Sequence, residues 1–365
     1  MDAATALVVA GGVPRTSPAS ALVVVVNDPD RATDSVQALR ALRDASPGRL
    51  LRVLVATGSH VWGDAAREAH EAPLRAAAGE PSEFFWHDGE SPSHSVVGPA
   101  HLDTFLAEAT DVVGVGSVEP HWFAGLTGAH KTLTVGVMHR EDITANHALA
   151  MTVDARPFRL AGNPVHEGLA AVLHALEDGR RVVALQHIGT RWFGGAPLAC
   201  LDEAAAVAAT RWRRVVPKPF DLLLAVVAPP LHRTLYQAEK GVKNNEFAVR
   251  DGGMVVLDAP CEDGLGPDRF FQTLMKAPDL AAVMERITRK GYRLGDHKAF
   301  RLRSLQARGV QVALVSPTFP REAGAAVGIG VFASREEASR TLRGRFGGSS
   351  RAAVVEDAGH MVVEA

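Results

Sequence analysis

The stretch that decides the fold class is ALVVVVNDPD, residues 21–30. A continuous apolar run that ends in a turn sequence is typical of a strand buried on both faces of a parallel sheet. Apolar residues then recur at helical spacing up to Leu42, and either Thr33 or Ser35 could cap that helix. A buried strand followed by an amphipathic helix is the repeating unit of an α/β protein.

Short apolar runs of the same kind recur along the chain. Further strands are predicted at residues 51–56, 83–86, 112–115, 133–137, 182–186, 220–227, 254–257, 310–315 and 327–332. The alanine-rich segment at residues 202–212 predicts a helix. This alternation predicts an α/β fold with mainly parallel sheets.

The length and the prolines predict two domains. At 365 residues the chain exceeds the size at which a single core usually stops growing. The segment VPKP at residues 216–219 has no periodicity and marks the boundary. We expect an N-terminal α/β domain at residues 1–216, a smaller C-terminal α/β domain at residues 217–340, and an active-site cleft between them. The tail, residues 341–365, holds one more apolar run, at residues 353–355, and could pack on either domain.

The bulk composition argues against several classes of protein. A formal charge of −2 and a pI near 6.7 disfavour a protein built to bind nucleic acid or an anionic membrane. The two cysteines, Cys200 and Cys261, form no CxxC pair, which disfavours a disulfide scaffold and a thiolate zinc site. The sequence has no signal-peptide pattern and no apolar run of about eighteen residues, so we expect a cytoplasmic protein.

Two histidines are candidates for acid–base catalysis. Functional side chains gather where parallel strands end, and His60 and His121 each follow a predicted strand. Imidazole suits proton transfer near neutral pH. Two histidines on opposite sides of one carbon would let an enzyme act on both enantiomers. The alternative is that both, like most of the fifteen histidines, are ordinary surface residues.

Other polar residues could bind an anion or a metal. Asp28 and Arg31 lie in the turn after the first strand, where Arg31 could grip a carboxylate or form a surface ion pair. Gln237 and Lys240 lie three apart, on nearly one face of a predicted helix. His147 lies within another predicted helix. It is either a polar helix position or a metal ligand, because imidazole suits nickel, copper and zinc.

Lys131 belongs to a segment, GLTGAHKT at residues 125–132, that nearly matches the phosphate-binding loop of NTPases. That loop needs a glycine before the lysine so that its backbone can wrap the phosphates. His130 stands at that position here. The residues alone therefore leave a solvated loop lysine as the other interpretation.

The sequence resembles the nickel-pincer lactate racemase family. The resemblance rests on EPHWFAGLTGAHK at residues 119–131, VMHRE at residues 137–141, and Asn146-His147. Further matches, in the same order as in the family, are DPDR at residues 28–31, TGSH at residues 57–60, His87-Asp88, Asn163-Pro164, Tyr236-Gln237 with Lys240, and Gly252-Gly253. The ordered set runs from about residue 20 to about residue 300 and is specific as a set, although each match alone is weak.

The resemblance implies a role for each matched residue. Lys131 would carry the nickel-pincer nucleotide (pyridinium-3-thioamide-5-thiocarboxylic acid mononucleotide) covalently, and His147 would be the protein ligand of its nickel. His60 and His121 would be the paired acid–base residues. Contacts to the substrate or the cofactor would come from Asp28, Arg31, Tyr236, Gln237 and Lys240.

The implied reaction inverts C2 of a 2-hydroxy acid. A histidine takes the hydroxyl proton while hydride moves from C2 to the cofactor, and a planar 2-keto acid results. Hydride then returns to the other face of the keto acid while a histidine returns the proton, which completes the inversion. The implied partners are the small-molecule substrate and the enzymes that synthesise the cofactor.

Four positions depart from the family pattern. Asp30 replaces a usual threonine, His130 a small residue and Val135 a proline, while His297 stands near where a tryptophan is expected in the substrate pocket. A polar residue such as His297 would suit a longer or hydroxylated acid better than lactate. The alternative functions are a family member with other redox activity or none, a nucleotide-binding protein, and a noncatalytic interaction protein.

Overall fold

The structure is a computed structural model that describes residues 1–17 and 20–365. Contacts within the chain divide it into two compact units. The first unit comprises Met1–Glu119, Ala124–Leu149 and Phe158–Thr210. The second unit comprises Pro120–Phe123, Ala150–Pro157 and Arg211–Ala365. Within the described ranges, no helix is long and apolar enough to cross a lipid bilayer.

The first part of the chain alternates between strands and helices. Up to residue 212 the elements are α1 (Ala3–Val9), β1 (Leu22–Asn27), α2 (Ser35–Ala45), β2 (Leu51–Ala56), α3 (Asp64–Ala78), β3 (Ser82–Trp86), β4 (His94–Val97), β5 (Ala100–Asp103), α4 (Thr104–Ala107), β6 (Asp111–Ser117), β7 (Pro120–His121), β8 (Gly125–Leu126), α5 (Ala129–Thr132), α6 (Arg140–Ala148), α7 (Pro164–Glu177), β9 (Arg181–Ile188), β10 (Arg191–Gly195) and α8 (Pro197–Trp212). The strand predicted from the apolar run at residues 21–26 is therefore confirmed as β1, which begins and ends one residue later.

The six-stranded sheet of the first unit has the order β10-β9-β6-β1-β2-β3, with β10 antiparallel and the other strands parallel. Strand β1 lies between two parallel neighbours, which explains its continuous run of buried valines. Val24 and Val26 belong to one apolar cluster with residues of α1, α2 and α3. In β6, Gly114 and Gly116 alternate with the valines of that cluster. They face the other side of the sheet, where Leu133 and the start of α5 approach them.

The second part of the chain repeats the pattern on a smaller scale. From residue 213 the elements are β11 (Arg213–Val215), β12 (Phe220–Val226), α9 (Leu235–Ala238), α10 (Lys240–Asn245), β13 (Val249–Asp258), α11 (Asp268–Lys276), α12 (Leu280–Lys290), α13 (Asp296–Ala307), β14 (Gln311–Val315), α14 (Arg321–Ala326), β15 (Gly330–Phe332), α15 (Arg335–Arg343), β16 (Ala352–Val355) and β17 (Val362–Glu364). Single turns of 3-10 helix occupy Leu231–Arg233 and Glu246–Ala248.

The sheet of the second unit is wholly parallel, with the order β15-β14-β13-β12-β16. One face packs against α9 to α13 in a single large apolar cluster. The other face packs against α15 through Ala338 and Leu342. The tail completes this unit, because β16 pairs with β12 and β17 pairs with β11. The apolar run at residues 353–355, which the sequence left unassigned, is therefore the edge strand of the second sheet.

Three sequence-based expectations were wrong in detail. Residues 133–137 form turns after α5 instead of a strand, because N–H groups such as those of Gly136 and Val137 donate to nearby carbonyls. Helix α2 is capped by the Asp34 carboxylate, which accepts a hydrogen bond from the Gln37 N–H, and not by Thr33 or Ser35. The strand predicted at residues 327–332 shrinks to β15, because the preceding residues form the turn after α14.

Candidate active site

The first group of site residues lies where β1 and β2 end. Asp28 directly follows β1 and is buried, while His60 comes four residues after β2 with its side chain 44% exposed. Parallel pairing of the two strands brings these ends together. His60 Nδ1 lies 2.8 Å from Asp28 Oδ2. A carboxylate can only accept, so Nδ1 carries the proton and Nε2 keeps its lone pair.

Arg31 and Asp30 lie in the same turn. The backbone N–H of Arg31 donates to the carbonyl of Asp28, and the Arg31 side chain is exposed. Across residues 1–17 and 20–365, no ion pair involves the Arg31 guanidinium. The Asp30 carboxylate points toward the histidine instead, 3.9 Å from His60 Nδ1. The structure therefore brings Asp28, Asp30 and His60 together and leaves the guanidinium of Arg31 available to an anion.

Lys131 lies in the short helix α5, which begins after a glycine turn. Gly128 has φ +146°, a conformation that favours glycine, and Gly116 of β6 packs directly against this turn. Lys131 is half-buried. The preceding His130 is buried, and burial lowers its pKa well below the ordinary value, with smaller contributions from His166 and from the charge of Lys131. A buried, neutral His130 explains how a large residue is tolerated beside the lysine.

His147 lies in the last turn of α6 and is half-buried. Desolvation, followed by the positive charge of Lys131, lowers its pKa to about 3. The imidazole is therefore neutral at physiological pH, which is the form that binds a metal.

The second group of site residues lies in the second unit. His121 ends β7 and meets Phe123 edge to face, with ring centroids 4.4 Å apart. Phe123 in turn meets the ring of His297 at 5.1 Å. His297 is buried, and its ring stacks on Trp122 with the ring centroids 5.4 Å apart. Its Nδ1 also forms a 2.5 Å hydrogen bond with the Tyr292 hydroxyl. His121 and His297 thus belong to one aromatic cluster.

Tyr236, Gln237 and Lys240 lie at the junction of two short helices. Gln237 is exposed, whereas Tyr236 and Lys240 are half-buried. Gln237 and Lys240, predicted on one helix, lie on two short ones, because α9 ends at Ala238 and α10 begins at Lys240. The ammonium group of Lys298 lies 3.2 Å from the centroid of the Tyr236 ring and donates to the Tyr236 carbonyl.

Sequence reasoning missed several residues around this second group. Trp122 supports His297, and Glu239 binds the two lysines Lys243 and Lys298. The four-residue spacing of Glu239 and Lys243 in a helix was a signal for this ion pair. The contacts of Lys298 and Trp122 depend on long-range packing and left no local pattern.

The remaining candidates for binding a metal or acting as a nucleophile would be clusters of His, Cys, Asp and Glu side chains and the two cysteines. In the part of the chain that the structure describes, no three His, Cys, Asp or Glu side chains are grouped to hold a metal ion by themselves. Burial raises the thiol pKa of both Cys200 and Cys261 to about 12. Neither thiol is a ready nucleophile or metal ligand, since both roles need the thiolate.

The chain is similar to known lactate racemases in sequence. It matches the family models of the lactate racemase N-terminal domain at residues 15–157 and of the lactate racemase C-terminal domain at residues 222–357. The lactate racemase of Thermoanaerobacterium thermosaccharolyticum is 26% identical over 297 residues, which are 74% of this chain and 67% of that protein. That of Lactiplantibacillus plantarum is 26% identical over 266 residues, 66% of this chain and 59% of that protein.

Solved structures agree on the fold. The lactate racemase apoprotein from T. thermosaccharolyticum has a TM-score of 0.87 at 20% identity and covers 100% of this chain and 93% of its own. A protein from Thermotoga maritima has a TM-score of 0.68 at 14% identity, covering 95% of this chain and 94% of its own. At these identities the likeness concerns the fold alone. The two matched family domains together span well over half of the sequence, and the chain therefore belongs to the lactate racemase family, a family of isomerases.

Proposed function

We propose that this protein is a racemase or epimerase that inverts C2 of a 2-hydroxy acid. The observation that carries the proposal is the hydrogen bond between Asp28 and His60, in a chain that belongs to the lactate racemase family. Inversion needs a base whose lone pair is aimed at the substrate. Asp28 supports this by holding the proton on Nδ1 and leaving Nε2 free to accept one.

The chain's residues fit a lysine-bound nickel-pincer nucleotide. Lys131 would hold the nucleotide covalently, and His147 would bind its nickel. The neutral state of His147 supports this, because burial keeps its pKa near 3 and its lone pair available. The influence of Lys131 on that pKa supports the closeness of anchor and ligand. When bound, this cofactor supplies an acceptor for the C2 hydrogen as hydride.

The protein's own residues handle the proton and the carboxylate. His60 Nε2 takes the proton of the C2 hydroxyl, and Asp28 stabilises the imidazolium that forms. His121 would do the same at the other face of the carbon, so that either enantiomer can react. Arg31 would bind the substrate carboxylate through its planar guanidinium. Tyr236, Gln237 and Lys240 would contribute further polar contacts to the substrate.

The expected substrate class rests on His297, which stands in the sequence near where the family resemblance places a tryptophan of the substrate pocket. Its imidazole is buried and hydrogen-bonded to the Tyr292 hydroxyl. A polar ring at that position would suit a hydroxylated substrate chain better than a methyl group. We therefore expect a 2-hydroxy acid with a longer or hydroxylated chain. The enzymes that synthesise the cofactor would be required partners, because the protein needs the nucleotide attached before it can act.

The first test is the mass of the intact protein after co-expression with the cofactor-synthesis enzymes, together with its nickel content. The proposal predicts a covalent adduct on Lys131 and one nickel per chain, followed by inversion of a 2-hydroxy acid in a chiral screen. Lys131→Ala should lose the adduct, whereas Lys218→Ala, at an exposed position, should keep it. An unmodified, nickel-free wild type, while a known lactate racemase is loaded in the same host, would favour the divergent or noncatalytic alternatives.

Two further variants separate the proposed roles. His147→Ala should keep the adduct on Lys131 but lose nickel, because only the metal ligand is removed. His121→Ala should keep both adduct and nickel and lose inversion. Retention of full loading by Lys131→Ala would refute the anchor assignment. Retention of full inversion by His121→Ala would refute the paired-histidine mechanism.

A further inference from the structure

The segment Pro120–Phe123, which carries His121, is held by aromatic contacts within the second unit. Trp122 and Phe123 are both buried and meet each other at 4.6 Å. The ring of His297 contacts both of them, and Phe123 contacts His121. The orientation of His121 is therefore tied to the orientation of Trp122.

Lys243 lies on the face of Trp122. Its ammonium nitrogen is 4.3 Å from the indole ring centroid, and the side chain is almost fully buried. Its Nζ also donates a 2.6 Å hydrogen bond to Glu239 Oε1. An ammonium group over an indole is attracted by the ring's quadrupole, and the attraction is strongest where water is excluded, as it is here.

Burying a charged lysine costs free energy unless neighbouring groups replace the hydration that is lost. Glu239 is shared, because its Oε1 also lies 3.0 Å from Lys298 Nζ. Glu246 attracts the Lys243 ammonium as well, although it is itself paired with Arg301. The Trp122 face adds a cation–π attraction to that of these carboxylates. The proposed function assigns no role to this lysine, and its placement beside the His121 segment calls for one.

We propose that Lys243 is a positioning residue for His121: its ammonium group, held by Glu239, fixes the Trp122 ring and through it the segment that carries the catalytic imidazole. The inference rests on the proposed role of His121 as an acid–base residue. Lys243 does not touch the reacting atoms in this scheme. It acts by restricting the orientations that His121 can adopt.

The charge on Lys243 should depend on pH in the physiological range. The charged groups that face it are Glu239, Glu246 and Lys298, and Glu246 is itself paired with Arg301. Desolvation is the largest effect and lowers the lysine pKa to about 7, although the two glutamates oppose it. The ammonium is therefore present below about pH 7 and lost above it, and the contact with Trp122 should weaken over the same range.

The first test needs neither cofactor nor substrate. The protein has five tryptophans, so the emission of Trp122 is obtained as the difference between the wild type and Trp122→Phe. We expect this difference to change with a midpoint near pH 7, and the change to disappear when the same comparison is made in a Lys243→Met background. No transition in the wild type, or an unchanged transition with Lys243→Met, would overturn the inference.

The second test is kinetic and uses the loaded enzyme. Lys243→Met should keep adduct and nickel and lower kcat about tenfold or more with little change in KM, because misplaced catalytic groups cost rate before binding. Lys290→Met, at an exposed lysine ending α12, is the matched control and should behave as wild type. A wild-type kcat in loaded Lys243→Met would overturn the inference.

Two provisions keep the tests decisive. If Lys243→Met does not fold, the double variant Glu239→Gln/Lys243→Met removes both charges of this buried pair, and the same outcomes apply. If the loaded wild type inverts no 2-hydroxy acid, the proposed function has failed. A pH transition that still depends on Lys243 would then support the Lys243–Trp122 contact and assign the failure to the role of His121.

Discussion

The close approach of β6 to the turn before α5 makes Gly116→Ala an informative perturbation. A Cβ at residue 116 would lie 2.6 Å from the backbone nitrogen of Ala129 and 2.7 Å from the carbonyl carbon of Gly128. Nonbonded carbon atoms prefer about 3.5–4.0 Å, so one of the two segments must move by roughly 1 Å. β6 is paired on both sides, with β1 and β9, and cannot yield. The start of α5, two residues before Lys131, must therefore move.

We expect Gly116→Ala to lower the free energy of unfolding by about 1–3 kcal/mol, the usual cost of overpacking. We also expect it to lower the fraction of chains that carry the cofactor on Lys131. Urea-induced unfolding measures the first effect, and the mass of the intact co-expressed protein measures the second. Gly348→Ala is the control, because its Cβ would meet nothing within 4 Å. Wild-type stability together with wild-type loading of Gly116→Ala would refute the reasoning.

Three further predictions concern the stability and reactivity of the fold. Asp111→Asn should cost about 3–5 kcal/mol in urea unfolding at pH 7, because it leaves the buried charge of Arg49 without its partner. Burial raises the Asp111 pKa, but hydrogen bonds from Ser20 and Thr16 and the charge of Arg49 lower it overall. The difference from wild type should therefore persist at pH 5 and shrink as the pH falls from the ordinary carboxyl pKa to the lowered one. Iodoacetamide should leave Cys200 and Cys261 unmodified in the native protein at pH 8 and alkylate both in urea, and rapid native labelling would contradict their burial. Gly194→Ala should cost about 1–3 kcal/mol in the same unfolding assay, because its Cβ would collide with a backbone carbonyl of α1, and an unchanged midpoint would mean that α1 does not pack there.

The strands that could be predicted from the sequence were those that neighbouring strands of the sheet bury. β1, β2 and β12 are flanked by parallel neighbours, and burial between those neighbours explains the apolar residues from which they were predicted. The run at residues 133–137 looked the same locally but is apolar for another reason. Leu133, the residue after α5, packs against Gly114, and Gly136 and Val137 donate their N–H groups to nearby carbonyls in turns. A pattern of apolar residues indicates which residues are buried, but it does not indicate which groups the backbone hydrogen-bonds to.

The boundary between domains is a separate question from the fold class. The prolines at residues 216–219 predict a division there, and this stays a prediction that limited proteolysis could test. Contacts within the structure divide the chain near residue 210 and assign two short earlier segments, Pro120–Phe123 and Ala150–Pro157, to the second unit. No local composition marks those two segments. Their assignment depends on contacts such as that of Trp122 with His297.

The sequence by itself determined the fold class and the family. Apolar runs of strand length and helical periodicity are local consequences of burial, and the ordered motifs around His60, His121, Lys131 and His147 are specific enough to identify relatives. Only the tertiary structure decided which side chains act on one another. The Asp28–His60 hydrogen bond, the low pKa of His147 and the seating of Lys243 on Trp122 each join residues far apart in the chain or depend on buried surroundings. Distances and desolvation of this kind arise when separate elements pack together, and no local pattern of residues encodes them.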